Sequence, residues 1–177
     1  MNLSLDKGNT MWYVVWATTT KEHQLLEHME RELDKKLYNS VWLPTKVEKR
    51  KFKGEWQDVE KLLFPGYMFL DTDCIEDTAA ELRRYPECIG ILKVDDEYVP
   101  ITKKEEDILH KLTGAGGKMD VSVGYIEDGR VRILSGPLFG MEQYIISVDK
   151  HKRMVKVEME LFNEIKSFTA ALELVNK

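Results

Sequence analysis

Cysteine is nearly absent from this chain. Cys74 and Cys88 are the only two, too few for a disulfide framework, so the reducing cytoplasm is the expected compartment. No run of about twenty apolar residues is available to cross a bilayer. The N-terminus also lacks the basic and then apolar order of an export signal, so no membrane association is expected. Catalytic signatures are missing too. His23 and His28 fall on a predicted helix, where 100° per residue turns them away from a shared ligand. His110 and His151 lie in different modules, neither cysteine has metal-ligand spacing, and there is no phosphate-cradling glycine loop or nucleophile motif. The chain is therefore read as non-enzymatic, with no cofactor and no metal. A net charge of −5 argues against a general nucleic-acid coat.

What is present suits one ordinary domain or two small ones: 177 residues, 43% hydrophobic and 32% charged. The charge is unevenly shared. Met1 to Leu112 holds 17 Lys and Arg against 22 Asp and Glu, whereas Thr113 to Lys177 holds 9 against 9. A neutral module still carries a basic face if its acids lie elsewhere, so local clustering matters more than the total.

Residues 1–10 show no periodicity and are expected to be disordered. Trp12 to Trp16 reads as a buried strand. Thr19 with Glu22 fits a capping box, opening a helix whose stripe is Leu25, Leu26, Met29, Leu33 and Leu37. Val41 to Leu43 resumes strand character before Pro44, and Thr45 to Lys61 suits a hairpin turning near Gly54. Gly66 to Leu70 reads as a strand, Glu76 to Tyr85 as a helix ended by Pro86, and Gly90 to Val94 as a strand. Thr102 with Glu105 makes a second capping box, leading into a helix that buries Ile108, Leu109 and Leu112. The glycine-rich stretch 113–120 has no face to bury and reads as a flexible linker. Beyond it, Val131 and Ile133 alternate with Arg130 and Arg132, and Val155, Val157, Met159 and Leu161 alternate with Lys156, Glu158 and Glu160. With turns at Gly136-Pro137 and Asp149-Lys150, this pattern predicts a small antiparallel barrel over 121–177. Residues 11–112 form the preceding module.

Strand periodicity sets Tyr67 and Phe69 on one face with Met68 and Leu70 on the other, and Val14 and Trp16 opposite Tyr13 and Val15. Both faces of these strands are apolar. Either three helices cover one and leave an aromatic patch for a protein partner, or the hairpin and loops close the second. The arm of Lys46, Lys49, Arg50, Lys51 and Lys53 is a solvated hairpin side, or it meets nucleic-acid phosphates or an acidic protein loop. Arg83 and Arg84 beside Tyr85 suit an unpaired base, or else serve the dipole of their own helix. In the second module, Lys150, His151, Lys152 and Arg153 occupy one turn while Arg130, Arg132 and Lys156 alternate outward on neighbouring strands. If those strands pair, the charges converge on a platform for RNA backbone, with His151 and Tyr144 as stacking groups. The bland account is a turn kept soluble by its lysines.

These residues resemble the NusG family of transcription elongation factors. WYVVWA, VWLPT, KLLFPGYMFLD and the proline-terminated helix followed by GILKV are similar to its N-terminal domain. GRVRILSGPLFGMEQYIISVDKHKRMVKVEMELF is similar to its KOW domain. The resemblance implies an α+β chain: an N-terminal α/β sandwich with an antiparallel sheet and helices, then a KOW barrel of SH3 type. It implies docking on the clamp helices of bacterial RNA polymerase, with Trp16, Phe64, Tyr67 and Phe69 at the positions of the family's aromatic pocket. The hairpin arm would face the other side of the main channel. Arg84 and Tyr85 match positions from which some members touch non-template DNA, although their identities differ from the family's, and Arg83 beside them joins the candidates. Gln143 and Phe162-Asn163 depart from the housekeeping pattern, and the KHKR turn is more basic than theirs. The chain is in these respects most similar to the LoaP group, whose KOW domain recognises an RNA hairpin. That implies a monomeric processivity and antitermination factor that binds structured RNA in the nascent transcript through Arg130, Arg132, Lys150, His151, Lys152, Arg153 and Lys156. A housekeeping factor whose KOW domain binds a termination factor or a ribosomal protein around Phe162 is the alternative. In the RfaH branch the second domain can instead form a helical hairpin, but the alternation over Val155 to Leu161 predicts strands here.

Overall fold

A computed structural model describes residues 11–176; the disorder expected for 1–10 lies outside them. The elements run β1 (Trp12–Ala17), α1 (Glu22–Glu32), β2 (Ser40–Trp42), β3 (Thr45–Phe52), β4 (Glu55–Leu62) and β5 (Tyr67–Asp71). They continue with α2 (Ile75–Leu82), β6 (Cys88–Ile91), β7 (Lys93–Val94), β8 (Glu97–Tyr98), α3 (Lys103–Thr113) and β9 (Lys118–Met119). The remainder is β10 (Ser122–Glu127), β11 (Arg130–Ser135), β12 (Ile145–Asp149), β13 (Met154–Leu161) and β14 (Glu164–Leu174). Two compact units result among the described residues, one made of 11–43 with 64–106, the other of 44–63 with 107–176.

The first unit is built on an antiparallel sheet in the order β2-β5-β1-β6. Its core joins Tyr13, Val15, Met68, Leu70 and Ile91 from one sheet face to Leu25 and Met29 of α1 and Ala79 and Leu82 of α2. Two helices therefore supply this core, where three were expected. The helix predicted to run to Leu37 stops at Glu32, with Leu33 extended at its C-cap. The one expected over Glu76 to Tyr85 ends at Leu82, so Arg83, Arg84 and Tyr85 lie just beyond it. The predicted strand Gly90 to Val94 is divided between β6 and β7, and β7 turns back through Asp95 and Asp96 to pair with β8. Both aspartates have positive φ, +50° and +64°, as a type I′ hairpin turn requires.

Of the two capping boxes read from sequence, the one at α3 forms. The Glu105 carboxylate accepts from Thr102 N–H at 2.7 Å, and Thr102 Oγ1 accepts from Glu105 N–H at 3.2 Å. The one at α1 does not, and Lys21 caps that helix without a side-chain bond. Glu22 is buried and its carboxylate accepts instead from the N–H of Gly66, at 2.6 Å. Gly66 is the third residue of the turn Phe64-Pro65-Gly66-Tyr67, closed by Tyr67 N–H on Phe64 C=O at 3.1 Å. Its φ of +83° after a proline makes this a type II turn.

The second unit holds a five-stranded sheet in the order β11-β10-β14-β13-β12. All its pairings are antiparallel except β10 with β14. Val155, Val157, Met159 and Leu161 point inward, joined by Ile133, Leu138, Met141, Phe168 and Ala170. The alternation expected over 155–161 is therefore the inside and outside of a curled sheet, not a helical hairpin. The Gly136-Pro137 turn packs closely on β10. Gly136 has φ +96°, and a Cβ there would lie 2.7 Å from Ser122 Cα. The hairpin arm forms as predicted, β3 and β4 pairing from Thr45↔Leu62 to Phe52↔Glu55 around Lys53-Gly54. Within the stretch 113–120, expected to bury nothing, Thr113, Gly117 and Met119 are buried, and β9 pairs in parallel with β3 at Thr45 and Lys46. Met119 supplies the apolar face that a count of glycines overlooks.

A Cβ on Gly66 would meet Ala17 and Thr19 only at ordinary contact, 3.5 Å, so Gly66→Ala suffers only from its positive φ, about 1–2 kcal/mol in urea unfolding. Gly136→Ala combines the same strain with a backbone collision and should lower the midpoint further. Asp71 is buried, and its Oδ1 has no hydrogen-bond partner among the described residues. Burial raises its carboxyl above the usual range, the Asn39 amide opposes this, and the charge of Asp73 adds to it. A raised folded-state value means stability that is full below the unfolded value and is lost as pH rises through the folded one. Asp71→Asn should therefore raise the thermal midpoint at neutral pH, and the gain should vanish below about pH 4.

Candidate functional site

Register across the first sheet decides which rings share a face. Trp16 pairs with Tyr67, Val14 with Phe69 and Trp12 with Asp71, while Trp42 pairs with Phe69 on the other side. Trp12, Trp16, Trp42, Tyr67 and Phe69 thus occupy the sheet face opposite the two-helix core. This face is not an open aromatic patch. Phe69 has no exposed surface and Phe64 has 5%. Phe69 packs beside Trp42 at 5.7 Å between ring centroids, and Trp42 meets Trp12 edge-on at 5.9 Å. Trp42 thus flanks both Phe69 and Trp12, and these neighbouring rings cover part of one another's surface. Trp16 and Tyr67, at the strand ends next to the type II turn, are half-buried and reach the surface.

The segment after α2 has its side chains engaged locally. Arg83 donates to the Tyr98 hydroxyl at 3.0 Å, and Arg84 is paired with Glu81 at 2.9 Å. Tyr85 lies 6.1 Å from the His28 ring, and burial raises its phenol above the ordinary value, with Glu32 and Glu81 adding to the effect. His28 in turn meets the buried Glu87 at 3.1 Å, which also accepts from Gln24 at 2.7 Å. Two arginines and a tyrosine on a helix end thus serve that end and the adjoining β7–β8 hairpin. They remain at the surface, with Arg83 and Arg84 exposed.

In the second unit all seven cationic positions read from sequence, Arg130, Arg132, Lys150, His151, Lys152, Arg153 and Lys156, are exposed. They fall into groups. Arg130, Arg132 and Lys150 line a groove of about 670 Å³ between β11 and β12, together with Ile145, Ile146 and Val148. Those are the two edge strands of the sheet, brought into apposition by its curl. Arg132 is partly offset by Glu127 at 3.7 Å. Lys152 is 3.6 Å from Asp149, whose carboxylate accepts from Lys152 N–H at 2.9 Å. That backbone bond is the main reason the Asp149 carboxyl lies below its usual range, with the Lys152 charge assisting. Lys156 stands on the outer face of β13, opposite Ser147 and Thr169. Tyr144 is half-buried in a 3₁₀ turn, and Phe162 is 2% exposed, so neither ring is openly displayed.

The hairpin arm divides along its length. At its base Lys46 is buried, donating to the backbone oxygen of Thr169 at 2.9 Å and to its hydroxyl at 2.7 Å, and pairing with Glu48 at 3.0 Å. Burial alone would raise the Glu48 carboxyl, but the Lys46 bond and charge, with Lys61 and Arg50, hold it below the usual value. Lys49 pairs with Asp58 at 2.6 Å. Towards the tip Arg50, Lys51 and Lys53 are exposed. Two participants were invisible to sequence reasoning. Glu22, read as a cap, holds the turn that carries Tyr67. Trp56, not singled out at all, lies under the Arg153 guanidinium at 4.8 Å.

A family model described as transcription termination factor NusG matches residues 10–110. The chain is 28% identical over 157 residues to the transcription termination/antitermination protein NusG of Vibrio parahaemolyticus, covering 85% of this chain and 86% of that one. It is 27% identical over 162 residues to the protein of the same description from Escherichia coli K12, covering 85% and 87%. Among solved structures it resembles one titled for domain interaction in Thermotoga maritima NusG, with a TM-score of 0.58 and 18% identity over 92% of this chain and 94% of that one, a likeness of fold. With the family model spanning more than half of its length, the chain belongs to the NusG family.

Proposed function

We propose that this chain is a transcription processivity and antitermination factor of the bacterial cytoplasm, a specialised relative of the LoaP kind. It would act as a monomer that grips RNA polymerase with residues 11–112 and a structured nascent RNA with the KOW domain, 121–177, the stretch 113–120 joining the two. The observation that carries the RNA half is the exposure of Arg130, Arg132 and Lys150 around one groove, next to the turn of His151, Lys152 and Arg153. Exposed, converging cations on a small curled sheet suit phosphate contacts.

For the polymerase half, the support is family membership together with Trp16 and Tyr67 reaching the surface on one sheet face. Phe64 and Phe69 would act from beneath, holding that face in shape for the clamp helices. Non-template DNA is a weaker partner in this reading, because Arg83 and Arg84 already have local ones. Two modest contacts on one chain reinforce each other through an effective concentration on the order of millimolar.

Binding of the full chain to an RNA hairpin, followed against salt, tests the RNA half. Arg130→Ala, Lys152→Ala and Arg153→Gly should each reduce the salt slope by about 1. Glycine is chosen at 153 because φ there is +53°, so the cation is removed without adding backbone strain. Unchanged slopes in all three variants would remove this surface from the proposal. For the other half, Trp16→Ala and Tyr67→Ala should abolish co-purification with RNA polymerase at an unaltered melting temperature. Retained co-purification would mean that the rings serve packing alone.

A further inference from the structure

We infer that the β3–β4 hairpin belongs to the RNA site, with Trp56 as a shelf that holds Arg153 for phosphate and Lys51 as an added contact, so that arm and turn face the backbone of one RNA stem. This rests on the RNA-binding reading given above. The Arg153 guanidinium carbon lies 4.8 Å from the centre of the Trp56 ring, and Arg153 is otherwise exposed. Stacking fixes the plane of the guanidinium and leaves its N–H edge directed away from the ring, which lowers the entropy lost when it meets an anion. The backbone of Arg153 is fixed as well: φ is +53°, and its carbonyl accepts from Leu172 N–H at 2.9 Å.

The arm is held at its base by the two Lys46 bonds to Thr169 of β14, and β3 pairs with β9. Lys51 is the cross-strand neighbour of Trp56 and is exposed, while Lys49 two pairs further down is bound to Asp58. Along the turn, Asp149 partly offsets Lys152 and leaves Lys150 and Arg153 as the flanking cations. A continuous basic surface thus runs from Lys51 over the stacked pair to Lys150. One face of its Trp56 ring is covered by a guanidinium, which takes that face from an unpaired base. That arrangement suits the phosphates of a paired stem, recognised by shape and charge.

The test uses the full chain, an RNA hairpin with a fully paired stem of about ten base pairs, and a single-stranded RNA of the same length as competitor. Lys51→Ala should reduce the salt slope by about 1. Trp56→Leu should weaken binding as much as Arg153→Gly, and the double variant should be no weaker than either alone, because the two side chains act as one unit. If Arg153→Gly weakens binding while Lys51→Ala and Trp56→Leu bind like the parent, the hairpin has no part in the site, although the RNA reading stands. If Arg130→Ala, Lys152→Ala and Arg153→Gly are all unchanged as well, that reading falls and this one with it. Competition by single-stranded RNA as effective as the hairpin itself would overturn recognition of a stem.

Discussion

The first unit depends on one charged hydrogen bond. Glu22 is buried at the first turn of α1, and its carboxylate receives the Gly66 N–H at 2.6 Å. A buried carboxylate is costly to desolvate, but this one gains a short charge-assisted bond and the favourable field of a helix N-terminus. The bond joins α1 to the type II turn that feeds β5. Gly66 C=O in turn receives Ala17 N–H at 2.9 Å, so the same residue ties the turn to the end of β1. The register Trp16↔Tyr67 follows from that closure, and with it the side of the sheet on which both rings emerge.

What the sequence made legible was local chemistry. Proline followed by glycine in Phe64-Pro65-Gly66-Tyr67 demands a turn with positive φ at its third position, and the turn is there. The Thr102 to Glu105 box forms because both partners lie within a single helical turn. The same spacing at Thr19 and Glu22 fails for a tertiary reason: a backbone N–H from a distant turn competes for the carboxylate and wins. Alternation could say that both faces of β5 are apolar, but not that Phe69 would be walled in by Trp42 from the adjoining strand. The stretch 113–120 misled in the same way, since the partner that orders Lys118–Met119 is β3, far away in the chain.

The RNA-site candidates were legible as residue types and illegible as a place. Outward alternation correctly exposes Arg130, Arg132 and Lys156. The groove, however, arises between β11 and β12, which are opposite edges of the sheet and meet only because it curls. Periodicity describes the faces of a strand and carries no information about such closure. Nor could spacing reveal that Arg153 would rest on Trp56, because the contact depends on how β3 and β4 lie beside β14.

Charge balance in the second unit shows how a nearly neutral segment acquires a basic face. Acids are concentrated where they pair: Glu48 with Lys46, Arg50 and Lys61, and Asp58 with Lys49. Glu127 and Asp149 likewise offset Arg132 and Lys152. These pairs include buried or half-buried members at the arm's base, where fixed geometry and reduced solvation let opposite charges matter most. The cations beyond them, Lys51 near the tip and Lys150 and Arg153 on the turn, are exposed. The near balance of 16 Lys and Arg against 14 Asp and Glu over 44–63 and 107–177 thus conceals a separation of charge along the fold. Such a separation attracts a polyanion at long range and still leaves the unit with little self-repulsion to oppose folding.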